Sequence, residues 1–388
     1  MSNLQRERLP QGGKGKIYFP NLNGLRFIAA FLVIIHHIEQ FKAVYNLESY
    51  WNRVPFIDVV GKLGVVLFFV LSGFLITYLL LSEESSFGKV SIPKFYIRRM
   101  LRIWPLYFLV ITLAFAVLPY FEFLTLPGYG RDVVYSNLFL KLLLFGIFFP
   151  NLALSIFGVT PYASHTWSIG TEEQYYLIWP VILKGIRKHR VILMLFIIMF
   201  YMGVLAFLSS KYSYILPYRD ILKSFWSTFN IDCMAIGGIF GIWLFDRNKI
   251  LGVLRNNLVF YSALLIVILL IAFGVRFPYF HYEIYAVVFG IIILNFASND
   301  AIKNTLEFRW LNYLGNVSYG LYMYHPLAIV LALSICIKFG VVSNWIIYPL
   351  SVTFTIIFAG LSYRYFETFF LKYKDRFSLI LSGNRKSA

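Results

Sequence analysis

Apolar stretches of about 20 residues, parted by short basic loops, recur from residue 22 to residue 366 of this 388-residue chain. A stretch of that kind crosses the hydrocarbon of a bilayer as a helix, and lipid leaves every backbone polar group to be satisfied by the protein itself, which admits only helices or closed barrels. The stretches are continuously apolar rather than alternating, so a barrel is excluded. With 59% hydrophobic and 14% charged residues, against about 25% charged in soluble domains, a water-soluble globular enzyme is excluded too. The fold class that follows is all-α, a polytopic transmembrane helical bundle.

Eleven candidate spans lie near 22–41, 60–81, 103–120, 137–157, 173–186, 190–209, 225–245, 257–274, 280–297, 311–338 and 344–366. Lys and Arg gather in the N-terminal tail (Arg6, Arg8, Lys14, Lys16), in Lys89 to Arg102, in Lys184 to Arg190, in Arg247 to Arg255 and after Lys372. Basic loops stay on the cytoplasmic side. If 137–157 crossed, the 184–190 loop would face outward. Pro150-Asn151 interrupts that stretch and leaves two pieces too short to cross, so it is expected to be re-entrant or to lie in the outer leaflet. The alternative is that it spans and one basic loop faces out. With 137–157 not crossing, ten spans remain and both termini are cytoplasmic.

The expected organisation is a cytoplasmic tail over 1–20, a transmembrane domain over 21–371 and a basic cytoplasmic tail over 372–388. No small-residue cleavage site follows the first apolar stretch, which reads as a retained span rather than a signal peptide. The formal charge of +17 would suggest nucleic acid in a soluble protein, but here the cations sit between spans and report topology, so no nucleic-acid partner is expected. The two cysteines, Cys233 and Cys336, lie in apolar stretches and form neither a disulfide framework nor a metal motif.

Ionisable residues inside a membrane cost several kcal/mol and are functional candidates by default. The first span opens on Asn21-Leu22-Asn23-Gly24-Leu25-Arg26 and carries His36-His37 near its far end. Arg26 and His37 fall close to one helix face, with a rise of about 16 Å between them. His37 is also readable as a packing histidine, and His36, turned about 100° away, fits that role better. Ser72-Gly73 gives the second span a small-residue step, which serves close helix packing or makes room for a ligand chain. Arg98-Arg99-Met100-Leu101-Arg102-Ile103-Trp104-Pro105 puts Arg99 and Arg102 on one face, as a phosphate grip or as ordinary positive-inside anchors. Trp167-Ser168 through Glu172-Glu173-Gln174-Tyr175-Tyr176 brings two adjacent carboxylates into a span, in part helix-start chemistry. Ser318, Tyr322 and His325 share a face ahead of the kinking Pro326, and His325 is also readable as a structural hydrogen bonder. Tyr363 to Glu367 looks like an ion-paired anchor at the last exit.

Taken in order, Arg26 to His37, Phe68-Phe69-Val70-Leu71-Ser72-Gly73-Phe74, Arg98 to Pro105, Trp167-Ser168 through Glu172-Glu173-Gln174-Tyr175-Tyr176, and Ser318-Tyr319 through His325-Pro326 resemble the membrane acyltransferase-3 family over residues 20 to 370. The resemblance implies a ten-span enzyme that moves acyl groups, often acetyl from cytoplasmic acetyl-CoA, onto hydroxyls of cell-surface or exported polysaccharides and glycolipids, lipopolysaccharide and peptidoglycan among them. It implies His37 as the essential histidine with Arg26 its motif partner, Arg99 and Arg102 in the cytoplasmic arginine motif tied to acyl-CoA use, and Glu173 in the Trp-Ser…Glu-Glu-Gln motif. Gly170-Thr171 depart from the pairs frequent in the family. Some members carry a further extracytoplasmic hydrolase-like domain; here the acceptor site is expected in the membrane domain or in a partner.

A thioester is an activated donor, so transfer to a hydroxyl needs a base, a stabilised oxyanion and positioning. The expected assignment is His37 as general base, oriented by Glu173; Arg26, Arg99 and Arg102 on the acyl-CoA; Ser72, Trp167, Ser318, Tyr322 and His325 as substrate-contacting or supporting residues; and no metal. Direct transfer and an acyl-histidine relay are both open. The expected partners are acyl-CoA, a glycan or glycolipid acceptor and the lipid bilayer of the plasma (inner) membrane, with the oligomeric state open. The rival from another class is a proton-coupled transporter, for which an inverted repeat would speak and the halves show none. A serine hydrolase would need a G-x-S-x-G elbow, and Gly315 to Gly320 holds one residue too many.

Overall fold

The computed structural model describes residues 15–186 and 188–382, with the side chains of 15, 16, 381 and 382 excepted. The expected cytoplasmic charges at Arg6, Arg8, Lys14, Arg187, Arg385 and Lys386 lie outside the described residues. In chain order come β1 (Gly15–Ile17), α1 (Leu22–Val44), α2 (Pro55–Phe87), α3 (Ile92–Thr112), α4 (Arg131–Tyr135), α5 (Leu138–Gly146), α6 (Pro150–Phe157), α7 (Trp167–Gly185), α8 (Arg190–Ser209) and α9 (Arg219–Phe229). Then follow α10 (Ile231–Asp246), α11 (Leu251–Leu254), α12 (Asn257–Ala272), α13 (His281–Ser298), α14 (Arg309–Asn316), α15 (Ser318–Lys338), α16 (Asn344–Ser362), α17 (Thr368–Lys374) and β2 (Ile380–Ser382).

This is an all-α polytopic bundle. Among the described residues, 8 helical runs are long and apolar enough to cross a membrane: Leu22–Val44, Pro55–Phe87, Ile92–Tyr120, Arg190–Ser209, Arg219–Asp246, His281–Ser298, Ser318–Lys338 and Asn344–Phe377. Helices also stand at the two other expected spans but fall short of that standard. α7 carries Glu172, Glu173 and Lys184, and α12 is 16 residues long. The 137–157 stretch is two helices of 9 and 8 residues, each far below a crossing, with Pro150 opening the second. Proline suits a first helical position, because the N–H it lacks would have no intrahelical partner there.

Close backbone approach holds the centre together, as expected where lipid removes the hydrophobic drive between helices. On α2, a Cβ at Gly73 would collide with the Met234 carbonyl of α10, and Gly237 answers it against the Val70 carbonyl. Gly61 and Gly64 admit α1 in the same way, meeting the His36 ring and the Ala29 carbonyl. Asn21, in left-handed backbone at φ 65°, ties the start of α1 to the α13–α14 connection. Its amide nitrogen donates to the carbonyls of Phe296, Ile302 and Lys303 at 3.0–3.1 Å, and its oxygen accepts from Leu306 N–H at 2.8 Å. β1 and β2 pair in parallel, Gly15 opposite Ile380 and Ile17 opposite Ser382, so these two segments meet at one end of the bundle.

Candidate active site

At that end a cavity of about 280 Å³ opens between α1, α2, α3, α7, α15 and the chain around α17. Along α2 its wall runs from Leu79 in to Val65, fourteen positions and so about 21 Å of helix. The period of each helix decides which side chains reach it. On α3, Arg99, Arg102 and Ile103 face the cavity, while Arg98 turns away, donating to Glu83 Oε2 at 3.0 Å and to the Phe377 carbonyl at 3.0 Å. Arg26 of α1, one turn into its helix, and Lys374 at the end of α17 complete a set of four cations on the wall.

Among the described residues Arg26, Arg99 and Arg102 form no salt bridge. Arg26 donates to Asn23 Oδ1 at 3.2 Å, and Arg99 lies over the Phe95 and Tyr176 rings. The carboxylates nearest in the wall have other partners. Glu172 accepts from the Tyr176 hydroxyl at 2.6 Å, and that hydroxyl also meets Ser72. Glu367 accepts from Ser362 Oγ at 3.1 Å. The three guanidinium groups are half-buried and crowded on one wall without a direct ion pair among the described residues, and guanidinium groups are the side chains best shaped to take phosphate oxygens two at a time. The chemistry of this end is that of a polyanion site.

The deep end is apolar and hydroxylic: Val65, Phe68, Phe69, Ser168, Ile169, Ser318 and Tyr322. Tyr322 forms its floor. Its hydroxyl donates to the His165 carbonyl at 2.6 Å and accepts from Ser168 Oγ, 2.7 Å away. Behind it three imidazoles cluster, with ring centroids 4.8 Å apart for His37 and His325 and 5.3 Å for His165 and His325. His325 Nδ1 lies 2.6 Å from the Tyr322 carbonyl and Nε2 lies 3.3 Å from His37 Nδ1, which also sits 2.9 Å from the Val33 carbonyl. His165, in the turn before α7, is held by burial well below the ordinary imidazole range, at about 3, and His37 adds to the effect. Its Nε2 has no hydrogen-bond partner among the described residues.

The structure thus gathers Arg26, Arg99, Arg102, Ser72, Ser318 and Tyr322 around one cavity, with His37 and His325 directly behind its floor. It separates the other two expected residues from that wall. Trp167 packs on Phe69 and beneath the Lys62 ammonium. Glu173 accepts from Trp104 Nε1 at 2.9 Å rather than bonding to His37, whose partners are Val33 and His325. His36 meets the Ile57 carbonyl at 2.6 Å and the Trp51 ring, a packing role. Instead of an ion-paired anchor, Tyr363 and Glu367 are cavity wall. Sequence reasoning gives Glu172, Tyr176, Lys374 and His165 no role of their own. Ser168, Glu172 and Tyr176 follow one another at four-residue spacing, and that one-faced pattern was the available signal. Among the described residues no cluster of three His, Cys, Asp or Glu side chains is arranged to hold a metal ion.

The acyltransferase-3 family profile, described as an acyltransferase domain, matches residues 19–364. The chain is 28% identical over 366 residues to the peptidoglycan O-acetyltransferase OatA of Listeria monocytogenes, covering 90% of this chain and 55% of that protein. It is 29% identical over 370 residues to the putative peptidoglycan O-acetyltransferase YrhL of Bacillus subtilis, with 90% and 54% covered. A putative O-acetyltransferase of Staphylococcus aureus strain COL is 27% identical over 384 residues, with 92% and 58% covered. The chain therefore spans about half the length of the curated relatives it matches. No solved structure matches it. With apolar helices throughout the described residues, a profile matched over 19–364 and relatives named for O-acetyl transfer, the chain belongs to the acyltransferase-3 family and is an integral membrane protein.

Proposed function

We propose that the protein moves an acetyl group from cytoplasmic acetyl-CoA to a hydroxyl of an exported cell-envelope glycan, across the plasma (inner) membrane in which it sits. The observation that carries this reading is the set of four cations, Arg26, Arg99, Arg102 and Lys374, on the wall of one cavity, three of them without a salt bridge among the described residues. A coenzyme A thioester brings several phosphate charges at one end of a long, narrow arm and the reactive carbonyl at the other. A cavity with cations at its mouth and hydroxyls at its floor, about 21 Å away along α2, suits that shape. Two relatives are named for peptidoglycan, which makes an amino-sugar hydroxyl of that polymer or its precursor the first acceptor to test.

In this reading the phosphates lie against the arginines and the arm threads past Ser72 toward Tyr322. The acceptor hydroxyl approaches from the far side and gives its proton to His37. The oxygen attacks the thioester carbonyl, the C–S bond breaks, and the thiolate leaves with the proton returned from His37. An acyl-histidine intermediate is the competing route; trapping acetyl on His37 would establish it. Glu173 acts at one remove, tying α7 to the arginine-bearing α3 through Trp104. The domain proposed for this work is residues 21–371, with both flanking tails cytoplasmic.

The test is transfer of labelled acetyl from acetyl-CoA in membrane vesicles containing the wild type or His37→Ala, with lipid-linked and polymeric glycan as acceptor pool. Label on glycan with the wild type alone supports the proposal. No label in either, with folded protein and several donors and acceptors tried, sinks it and favours a carrier.

A further inference from the structure

Two backbone carbonyls decide where the protons sit on the paired histidines. A carbonyl oxygen only accepts, so the nitrogen facing it must carry hydrogen. His325 Nδ1 faces the Tyr322 carbonyl at 2.6 Å, which makes it the N–H of that ring and leaves Nε2 a bare lone pair. His37 Nδ1 faces the Val33 carbonyl at 2.9 Å, which makes it the N–H of the second ring. The lone pair on His325 Nε2 then lies 3.3 Å from His37 Nδ1 as a second acceptor of the same hydrogen. His37 Nε2 is left without a proton. That is the form a general base needs.

We propose that His325 is the positioning residue of His37, holding it in the Nδ1–H form and supporting the imidazolium that forms when Nε2 takes a proton. In hydrolytic triads a carboxylate oxygen accepts from the Nδ1–H of the base and fixes its tautomer and orientation. Here a carbonyl on the helix's own preceding turn and a neutral imidazole on α15 share that task. His325 is fully buried, its ring also meeting those of His165 and Tyr322, whereas His37 is half-buried. A carboxylate at this depth would bring an uncompensated charge, whereas an imidazole supplies a lone pair without one. The balance is simple. The acceptor hydroxyl loses its proton to His37 Nε2, the Nδ1 hydrogen stays on His37, and the leaving thiolate collects the transferred proton. The chain order of the device is also set by the fold, because the hydrogen bond from His325 to the Tyr322 carbonyl is made within the turn that forms the cavity floor.

The inference rests on the reading of His37 as base, and the experiment separates the two. Wild type, His37→Ala, His325→Phe and His325→Gln are compared in vesicles for acetyl transfer, with kcat and donor KM resolved. His37→Ala is expected to be inactive. His325→Phe is expected to lose kcat on the order of 10- to 100-fold, the range seen when a partner orienting a ligating or reacting group is removed, with donor KM unchanged. His325→Gln is expected to recover part of the loss, since its amide oxygen can accept from His37 Nδ1–H. Wild-type kcat in His325→Phe beside an inactive His37→Ala overturns the positioning role alone, whereas activity in His37→Ala overturns the base and the inference with it. If His325→Phe does not fold, ring-labelled histidine NMR of the wild type decides. The chain has 6 histidines, and the His37 signals are those missing from His37→Ala. The Nδ1–H form is expected, and an Nε2–H form overturns the proposal.

Discussion

Glu172 and Glu173 leave the same turn of α7 in different directions: Glu172 accepts from Tyr176 on the cavity wall, and Glu173 accepts from Trp104 Nε1, away from it. Their truncations should separate accordingly. Glu173→Ala leaves the Trp104 N–H without a partner and is expected to cost about 1–3 kcal/mol of stability, while Glu173→Gln keeps an acceptor and costs little. Glu172→Ala leaves Tyr176 its Ser72 partner, so its stability loss is smaller and its effect falls on donor use. Thermal unfolding in detergent and donor KM, measured on the three variants, check the pattern.

Arg99 and Arg102 face the cavity, whereas Arg98 is engaged by Glu83. A charge-assisted hydrogen bond contributes about 1.5–3 kcal/mol, so Arg99→Gln and Arg102→Gln should each weaken donor binding by about 10- to 150-fold. Arg98→Gln should leave binding near the wild-type value and lower stability instead. Titration of a non-reactive CoA analogue into the purified protein measures the difference, and equal losses for all three would argue against a donor site here.

Phe68 lines the deep end of the cavity, its ring edge-on to Tyr322 at 6.2 Å. Replacing it with alanine opens room where the acyl group is proposed to end. A pocket discriminates by about 1–3 kcal/mol per methylene, so Phe68→Ala should raise butyryl over acetyl transfer by roughly tenfold or more. Competition between the two labelled donors reads the ratio directly.

Gly73→Ala places a methyl against the Met234 carbonyl, and Gly237→Ala does the same at Val70. Overpacking of this kind costs about 1–3 kcal/mol, and a backbone partner yields less readily than a side chain. Gly203→Ala, on α8 with nothing within 4 Å of the added carbon, should be neutral or stabilising. Melting temperatures of the three variants give the test.

Much of this arrangement is legible in the chain. Helix period alone pairs Arg99 with Arg102 and sets Ser318 with Tyr322, and the structure puts all four on the cavity wall. The break at 137–157 follows from Pro150, which opens α6. Which of two adjacent glutamates faces inward is a matter of how α7 is rotated in the bundle, and that is fixed by Gly170 packing on Pro150 and by Trp104, residues distant in sequence. Lys374 was legible only as tail charge, because its place on the wall depends on the chain after α16 folding back beside β1. His165 sits in a short turn with no period to betray it, and its neighbours come from α1 and α15.

The glycine-to-carbonyl contacts between α2 and α10 carry one more consequence. Helices that touch through side chains can slip a notch, each knob finding the next hole, but here the two main chains interlock at Gly73 with Met234 and at Gly237 with Val70. Translation of one past the other would drive carbonyl oxygens into α-carbons. The pair therefore behaves as a keel, closed to sliding along its own length.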